Sequence, residues 1–214
     1  MQAESPLEAF RMGNAPRRRA TYDDLCKVPD NLVAEILDGE LFTSPRPASP
    51  HARAGSAVGS DLFGAFDRPP GDPKGPGGWW LLFEPELHLG EDVLVPDFAG
   101  WRREGMPVLP NVAVFRQAPQ WVLEVVSPGT GRIDRVRKLP IYAREGVAHA
   151  WLVDPLARTL EVYRLKEGHW LLAATHGGDE VVRAEPFEAM ALAMARWWIP
   201  EAEGPTEPAP AQSP

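Results

Sequence analysis

The segment WVLEVV, residues 121–126, is the feature that most constrains the fold of this chain. All of its residues except Glu124 are apolar, and a short apolar run of this kind is typical of a strand buried inside a sheet. A buried carboxylate without a partner costs several kcal/mol. Glu124 therefore pairs with a basic side chain, lies at an exposed end of its strand, or binds a cation. Strand alternation predicts that it shares one face with Val122 and Val126.

The other hydrophobic patterns predict a mixed α/β domain with few helices. Two helices are expected over residues 49–66 and 133–146, and Thr21 is expected to cap a shorter one. The dipeptide Asp38-Gly39 predicts a tight turn between two strands. Further strands are predicted in segments 79–89, 93–101, 148–155, 159–165 and 169–176.

The length of 214 residues fits one domain with tails. We predict a flexible N-terminal segment over residues 1–19, the folded domain over residues 20–199, and a disordered tail rich in Pro, Ala and Glu over residues 200–214. Segment 67–78 predicts a long loop without regular structure, and segment 186–198 is compatible with a helix or a strand.

Charge and cysteine usage exclude several classes of protein. The formal net charge of -8 argues against a surface that is basic throughout, although a local basic groove is compatible with it. The single cysteine, Cys26, forms no intramolecular disulfide, is expected to face the core, and suits a reducing cytoplasm. No apolar stretch has the length of a membrane span, so no membrane partner is expected.

A second acid, Asp97, follows the apolar run VLVP. Because Pro-Asp is also a common turn dipeptide, Asp97 alone is weak evidence for a site. Together with Glu124 on an adjacent strand, however, it would form a pair of oxygen ligands. Mg²⁺ takes one or two carboxylates, several waters and the phosphate oxygens of a substrate.

A basic helix follows the Glu124 strand directly. Asp134 and Lys138 stand four residues apart, which predicts either a simple surface ion pair or a lysine that reaches back over the end of the strand. Arg132, Arg135 and Arg137 add positive charge, and we expect them to contact nucleic acid. Acids that hold a cation, beside bases that attract an anion, form the arrangement that phosphodiester hydrolysis needs.

The chain also resembles a known family in an ordered set of motifs. These are ILDGEL (residues 36–41), His51 at the start of a helix, PDF (96–98), VLEVVSP (122–128), DRVRKLPIYAREGV (134–147) and AWLVDP (150–155). In this order the motifs resemble the Uma-two family of bacterial restriction-type endonucleases, part of the PD-(D/E)XK nuclease superfamily. The resemblance covers residues 21–198 and implies a mixed central sheet flanked by helices, with Mg²⁺-dependent cleavage of nucleic acid.

The resemblance assigns roles to two acids and a lysine. Asp97 and Glu124 match the metal-binding acids, and the backbone carbonyl of Val125 is the expected third ligand. In the wider superfamily the lysine lies two residues after the second acid, where this chain has Val126. The family pattern moves the lysine to the following helix, where Lys138 matches it.

Two further positions resemble supporting members of the family's site. Glu35 matches an acid from the first structural unit, and Glu40 competes for that role. His51 matches a polar position near the site. An equally supported interpretation is that His51 faces solvent at the N-terminus of its helix. Pro140 departs from a regular helix, because proline removes a donor and clashes with the preceding turn. The helix therefore either starts late, which puts Pro140 in its first turn, or is kinked at Pro140, and the placement of Lys138 depends on which of these occurs.

We expect a Mg²⁺-dependent endonuclease that acts on DNA, with Mn²⁺ able to replace Mg²⁺. A homodimer is expected by analogy, because a duplex has two strands to cut. The alternative is a catalytically inactive relative of the nucleases that serves as a binding or regulatory module. Binding of a divalent metal, and separately the nicking of plasmid DNA, distinguish these two functions.

Overall fold

The computed structural model of the chain describes residues 18–200. The segment predicted to be flexible, 1–19, and the predicted tail, 200–214, lie outside the described residues except for positions 18, 19 and 200. The domain limits of 20–199 stay a prediction.

The described residues form a mixed α/β fold, as predicted. The helical segments are α1 (Tyr22–Leu25), α2 (Ser49–Phe66), α3 (Gly131–Ile133), a π-helical turn (Asp134–Lys138), α4 (Leu139–Arg144) and a 3₁₀ turn (Met194–Trp197). The strands are β1 (Leu32–Leu37), β2 (Glu40–Pro45), β3 (Trp79–Phe83), β4 (Leu87–Leu89), β5 (Asp92–Leu94), β6 (Phe98–Arg102), β7 (Trp121–Val125), β8 (His149–Asp154), β9 (Thr159–Lys166), β10 (His169–Gly177), β11 (Val181–Val182) and β12 (Leu192–Ala193).

A six-stranded mixed sheet forms the center of the fold, in the order β10-β9-β8-β7-β6-β3. Strands β7 and β8 are parallel, and the other neighbors are antiparallel. A parallel pair needs a crossover connection, which the helical segment of residues 131–144 supplies. A second sheet has the order β2-β1-β5-β4, and β11 pairs with β12.

The two faces of the central sheet are covered differently. Leu123 and Val125 face a core shared with α2 and the C-terminal segment, including Phe187 and Trp197. Val122 and Val126 face a second core. Leu37, Leu87 and Leu94 of the four-stranded sheet and Leu139, Ile141 and Tyr142 of α4 contribute to this second core. The alternation predicted for the β7 strand is confirmed, and it directs Glu124 toward α4 and the four-stranded sheet.

Two predicted strands each divide between the two sheets. Segment 79–89 becomes β3 and β4, and segment 93–101 becomes β5 and β6. Glu84 at the first break has a positive φ of 44°, and its N–H donates to the carbonyl of Asp97. Pro96 lies at the second break, where its missing N–H costs no ladder bond. Both breaks lie beside Asp97, because Glu84 bonds to its carbonyl and Pro96 precedes it in the chain. Asp97 is therefore located where the chain crosses from one sheet to the other, near the end of β7.

The basic helix is continuous over residues 131–144 but contains the π-helical turn. The N–H of Leu139 donates to the carbonyl of Asp134, one residue further back than in an α-helix. Pro140 then falls in the first turn of α4, where its missing N–H is tolerated. The structure therefore accommodates Pro140 by widening one turn immediately before it.

Several local predictions are confirmed, and two need correction. Thr21 caps α1, and Asp38-Gly39 forms the turn between β1 and β2 with positive φ at both residues. Segment 186–198 is mostly neither helix nor long strand, since it contains only β12 and the 3₁₀ turn. Cys26 is exposed rather than core-facing, because it caps a four-residue helix that buries none of its residues. Among residues 18–200, no helix has both the length and the apolar character needed to cross a bilayer.

Candidate active site

Glu124 lies at the center of a buried polar cluster. It is 4 % exposed, and its Oε1 atom lies 2.9 Å from Nζ of Lys138. The hydroxyl of Tyr142 donates to the same oxygen at 2.7 Å. Burial raises the pKa of Glu124 well above its usual value, although Lys138 acts in the opposite direction. Of the three explanations open for Glu124, pairing with a base is therefore present in the structure, and an exposed position at the strand end is ruled out by the burial of Glu124.

Asp97 is the neighbor of Glu124 across the sheet. Phe98 pairs with Leu123, and continuing this antiparallel register by one residue places Asp97 opposite Glu124. Its Oδ2 atom accepts a hydrogen bond from the N–H of Val125 at 2.7 Å. Asp97 directly precedes the first residue of β6, so it lies where the backbone pairing of β6 with β7 ends. At this point its side chain, rather than its backbone, accepts a hydrogen bond from β7.

Of the two competing glutamates, Glu35 lies in the cluster. Its Oε1 atom lies 3.0 Å from Nζ of Lys138 and accepts the N–H of Val95 at 2.8 Å. Glu40 is exposed on β2, and its carboxylate lies 3.5 Å from Arg137. The register of the β1–β2 hairpin separates the two glutamates, since Glu35 faces inward opposite Phe42 while Glu40 follows the turn.

Lys138 occupies the middle of this cluster and is 3 % exposed. Burial alone lowers the pKa of Lys138, but the carboxylates of Glu124, Glu35 and Asp134 outweigh burial and raise the pKa well above its usual value. At neutral pH the side chain therefore carries an ammonium group. It also lies 3.4 Å from the carbonyl oxygen of Val95. One of the two interpretations of the Asp134 and Lys138 spacing was an ion pair on the protein surface. The burial of Lys138 excludes that interpretation.

His51 lies beside Asp97, in the first turn of α2. Its Nε2 atom is 3.4 Å from Oδ1 of Asp97, and its side chain is 17 % exposed. Burial lowers the pKa of His51, but the interaction with Asp97 and the charges of Asp134 and Glu84 outweigh this effect and raise it. His51 therefore faces the cluster rather than open solvent.

The three arginines of the basic helix lie on its outer side with different partners. Arg135 contacts Glu161 at 2.7 Å. Arg137 lies within 4 Å of Asp38 and Glu40. Arg132 is exposed and has no ion-pair partner among residues 18–200. Two of the three guanidinium groups are thus already paired with surface carboxylates.

The structure adds two residues that the sequence did not assign to the site. Asp134 is 4 % exposed, and its Oδ1 atom lies 3.9 Å from Nζ of Lys138. Burial raises the pKa of Asp134 to about 6, with Lys138 acting in the opposite direction. Tyr142 is fully buried, and burial followed by the charge of Glu124 raises its pKa well above its usual value. The recurring spacing of four residues, Asp134 to Lys138 to Tyr142, is the signal that would have placed both on one helix face.

Six of the side chains described above line one cleft of about 450 Å³. The lining includes Glu35, His51, Asp97, Glu124, Asp134 and Lys138. The cleft thus contains four carboxyl groups, of which those of Glu35, Glu124 and Asp134 lie within 4 Å of one buried ammonium group. Such a surplus of negative charge in a partly enclosed cleft favors the binding of a cation.

Two carboxylate oxygens of the cleft make no hydrogen bond with any described residue. Oε2 of Glu124 and Oε2 of Glu35 make no hydrogen bond within residues 18–200. Neither atom is among the buried polar atoms that lack a partner, so each keeps some contact with solvent. No group of three or more His, Cys, Asp or Glu side chains in the described part of the chain is arranged to hold a metal ion. Mg²⁺ takes only one or two carboxylates and keeps several waters, so a cation in this cleft would be held by a pair such as Asp97 and Glu124.

Comparisons with known proteins agree with this fold. A family model, Uma2, described as "Putative restriction endonuclease", matches residues 19–195. Among solved structures, a "putative nuclease belonging to DUF820" from Anabaena variabilis is similar, with a TM-score of 0.65 and 21% sequence identity. The match covers 83% of this chain and 97% of that chain. A comparison with curated proteins found no match.

Proposed function

Because the chain belongs to the Uma2 family, described as putative restriction endonucleases, we propose that it is a Mg²⁺-dependent endonuclease that hydrolyzes phosphodiester bonds in DNA. The observation that carries the proposal is the carboxyl pair Asp97 and Glu124, side by side at the end of β6 and β7, with the ammonium group of Lys138 at 2.9 Å from Glu124. Metal-dependent nucleases need oxygen ligands and a fixed positive charge in one place.

Asp97, the Oε2 atom of Glu124 and the backbone carbonyl of Val125 would hold the cation. When bound, Mg²⁺ would lower the pKa of a coordinated water and neutralize charge on the scissile phosphate. One oxygen of each carboxylate is already fixed by the protein, through the N–H of Val125 for Asp97 and through Lys138 and Tyr142 for Glu124. The two carboxylates are therefore held in position, so little conformational entropy is lost on binding.

Lys138 would serve as a fixed cation rather than as a base. Its raised pKa keeps the ammonium protonated at neutral pH, so it does not remove a proton from the attacking water. It can donate a hydrogen bond to that water or stabilize the negative charge that develops on the phosphate. Glu35, at 3.0 Å from Nζ and bonded to the backbone at Val95, holds the ammonium in place.

Substrate binding would depend on local rather than overall charge. The net charge of -8 repels a polyanion, so the phosphates need local positive groups on the surface of the protein. Arg132 is exposed and unpaired within the described residues. Arg135 and Arg137 would first have to exchange their carboxylate partners for phosphate oxygens. We propose that two copies of the chain act together on a duplex.

The test is nicking of supercoiled plasmid DNA with Mg²⁺, with Mn²⁺, and with a chelator. We expect cleavage with either metal and none with the chelator. Asp97→Asn and Glu124→Gln keep the size of the side chains and should reduce cleavage below detection. Glu104→Gln makes the same chemical change at an exposed site outside the cleft and should cut like the wild type. Cleavage by both cleft variants at the wild-type rate would refute the proposal.

A second candidate is the inactive binding or regulatory module. It is favored by the position of Lys138, whose ammonium already bridges Glu35 and Glu124 at 3.0 Å and 2.9 Å and so partly satisfies them without a metal. This function predicts that neither DNA nor RNA is cleaved under any metal condition. Metal-dependent nicking that Asp97→Asn abolishes would exclude it.

A further inference from the structure

We infer that Asp134 is an additional member of the cation site and holds a water molecule of the bound divalent cation. The inference rests on the proposed function, since it adds a residue to the same site. Asp134 opens the π-helical turn and lies on the inner face of the basic helix, and its side chain lines the cleft with Asp97 and Glu124.

The other three carboxylates of the cleft each have a close donor. Oε1 of Glu124 contacts Tyr142 at 2.7 Å, and Oδ2 of Asp97 accepts the N–H of Val125 at 2.7 Å. Oε1 of Glu35 accepts the N–H of Val95 at 2.8 Å. These contacts fix each carboxylate and leave Oε2 of Glu124 and Oε2 of Glu35 without a hydrogen bond in the described part of the chain, while Oδ1 of Asp97 lies 3.4 Å from Nε2 of His51.

Asp134 lacks such a donor. Its side chain is 5 % exposed, yet its ion-pair partner Lys138 lies 3.9 Å away. Among residues 18–200 its carboxylate makes no hydrogen bond of normal geometry, although the side chain of Thr130 lies near enough to lower its pKa slightly. Burial and the neighboring acids raise that pKa to about 6, so the group is mainly ionized at neutral pH. Neither oxygen of Asp134 is among the fully buried polar atoms that lack a partner, so the carboxylate keeps some contact with solvent. A nearly buried, ionized carboxylate that lines a cleft and makes no hydrogen bond within the described residues is expected to bind a cation or its waters.

The position of Asp134 favors contact through water over direct contact with the metal. The described residues contain no trio of acidic or histidine side chains close enough to share one ion, so Asp134 does not join Asp97 and Glu124 as a direct ligand. Mg²⁺ dehydrates reluctantly and keeps several waters when it binds a protein. Residues that bond such waters change metal affinity by about 10-fold to 100-fold when mutated.

A purely structural role for Asp134 makes a different prediction. If it served only to hold Lys138, its loss would lower the melting temperature of the metal-free protein and leave metal affinity unchanged. If it holds a metal-bound water, its loss removes a charge whose burial is unfavorable in the metal-free protein. The metal-free protein should then melt at the same or a higher temperature, while affinity for the metal falls.

The experiment measures Mn²⁺ and Mg²⁺ binding by calorimetry, and melting temperature with and without metal, on the full chain. Asp134→Asn should bind either metal about 10-fold more weakly than the wild type. It should show a smaller metal-induced rise in melting temperature and no loss of stability without metal. Asp134→Ser serves as a second variant if the asparagine variant does not fold. The control is Asp92→Asn, a buried aspartate outside the cleft that is paired with Arg144, and it should keep wild-type metal affinity.

Wild-type affinity in both Asp134 variants would overturn the inference while leaving the proposed nuclease intact. A melting temperature that falls without metal, together with an unchanged metal-induced rise, would also overturn it in favor of the structural role. Absence of metal binding by the wild type would overturn both the inference and the proposed function.

Discussion

The hydroxyl of Tyr142 donates a hydrogen bond to Oε1 of Glu124 at 2.7 Å, across the interface between α4 and the central sheet. Oε1 is also the oxygen that Lys138 contacts, so two donors converge on it. Because Tyr142 is fully buried and its pKa is raised, the phenol stays protonated and remains a donor. The bond therefore fixes which oxygen of Glu124 faces the cleft.

Replacing Tyr142 by Phe should destabilize the protein by about 1–3 kcal/mol, because it leaves a buried acceptor with one donor fewer. Urea denaturation measures the change. Tyr163→Phe is the matched control, since Tyr163 also donates to a glutamate, Glu161, but at a half-buried site of the sheet. We expect a smaller loss there, and an equal loss in both variants would contradict a special role for the buried bond.

Replacing Lys138 by Met should have a larger effect. Removing one partner of a buried ion pair costs about 3–5 kcal/mol, and here it leaves Glu35, Glu124 and Asp134 without a cation. The same loss should increase the stabilization that Mg²⁺ provides, because the metal then supplies the missing positive charge. Melting temperatures with and without Mg²⁺ test both effects. Lys74→Met, at an exposed loop position, is the control and should change neither.

Stability without metal should fall as the pH rises from about 4 to about 7. Asp134 has a pKa of about 6 in the folded protein, above its ordinary value of 3.8, so the folded state binds the proton more tightly than the unfolded state. Ionization therefore costs stability across this interval, by up to about 1.4 kcal/mol per pH unit, and Glu124 adds in the same direction.

Urea denaturation in the presence of a chelator, repeated across this pH range, checks the prediction. Asp134→Asn should flatten the dependence, and saturating Mg²⁺ should do the same in the wild type. The prediction fails if stability rises steadily with pH over this interval, as it does for carboxylates whose pKa is lowered by folding.

The pKa of His51 should report on metal binding directly. The pKa is raised because the interaction with Asp97, at 3.4 Å, outweighs burial. A divalent cation on Asp97 would cancel this attraction and lower the pKa of His51. NMR titration of the imidazole with and without Mg²⁺ measures the shift. His149 lies outside the cleft, and burial lowers its pKa, so it should not respond to Mg²⁺.

Much of this fold could be predicted from local patterns. The strand around Glu124, the hairpin at Asp38-Gly39 and helix α2 all follow from periodicity and turn chemistry, which act over a few residues. The division of segments 79–89 and 93–101 between two sheets could not be predicted in the same way. It depends on which partner strands are available after the chain has folded, and Pro96 marks only one of the two breaks.

The site was predictable as a set of residue types but not as a set of contacts. Asp97 and Glu124 stood out because acids next to apolar runs need an explanation. The place of Asp134 in the buried cluster could not be predicted, since an acid four residues before a lysine is common on helix surfaces. Its burial follows from the docking of the whole helix against the sheet, which no single spacing specifies.

The π-helical turn at Asp134–Lys138 makes the length of this segment more critical than its composition. Each residue of an α-helix advances the chain by about 100° around the axis. Deleting one residue between Asp134 and Pro140 would restore a regular spiral, but it would rotate everything before the deletion relative to α4. The carboxylate of Asp134 would then swing out of the cleft while Tyr142 stayed in the core. Homologous chains that keep the buried cluster should therefore differ in residue identity between Asp134 and Pro140 more readily than in the number of residues there.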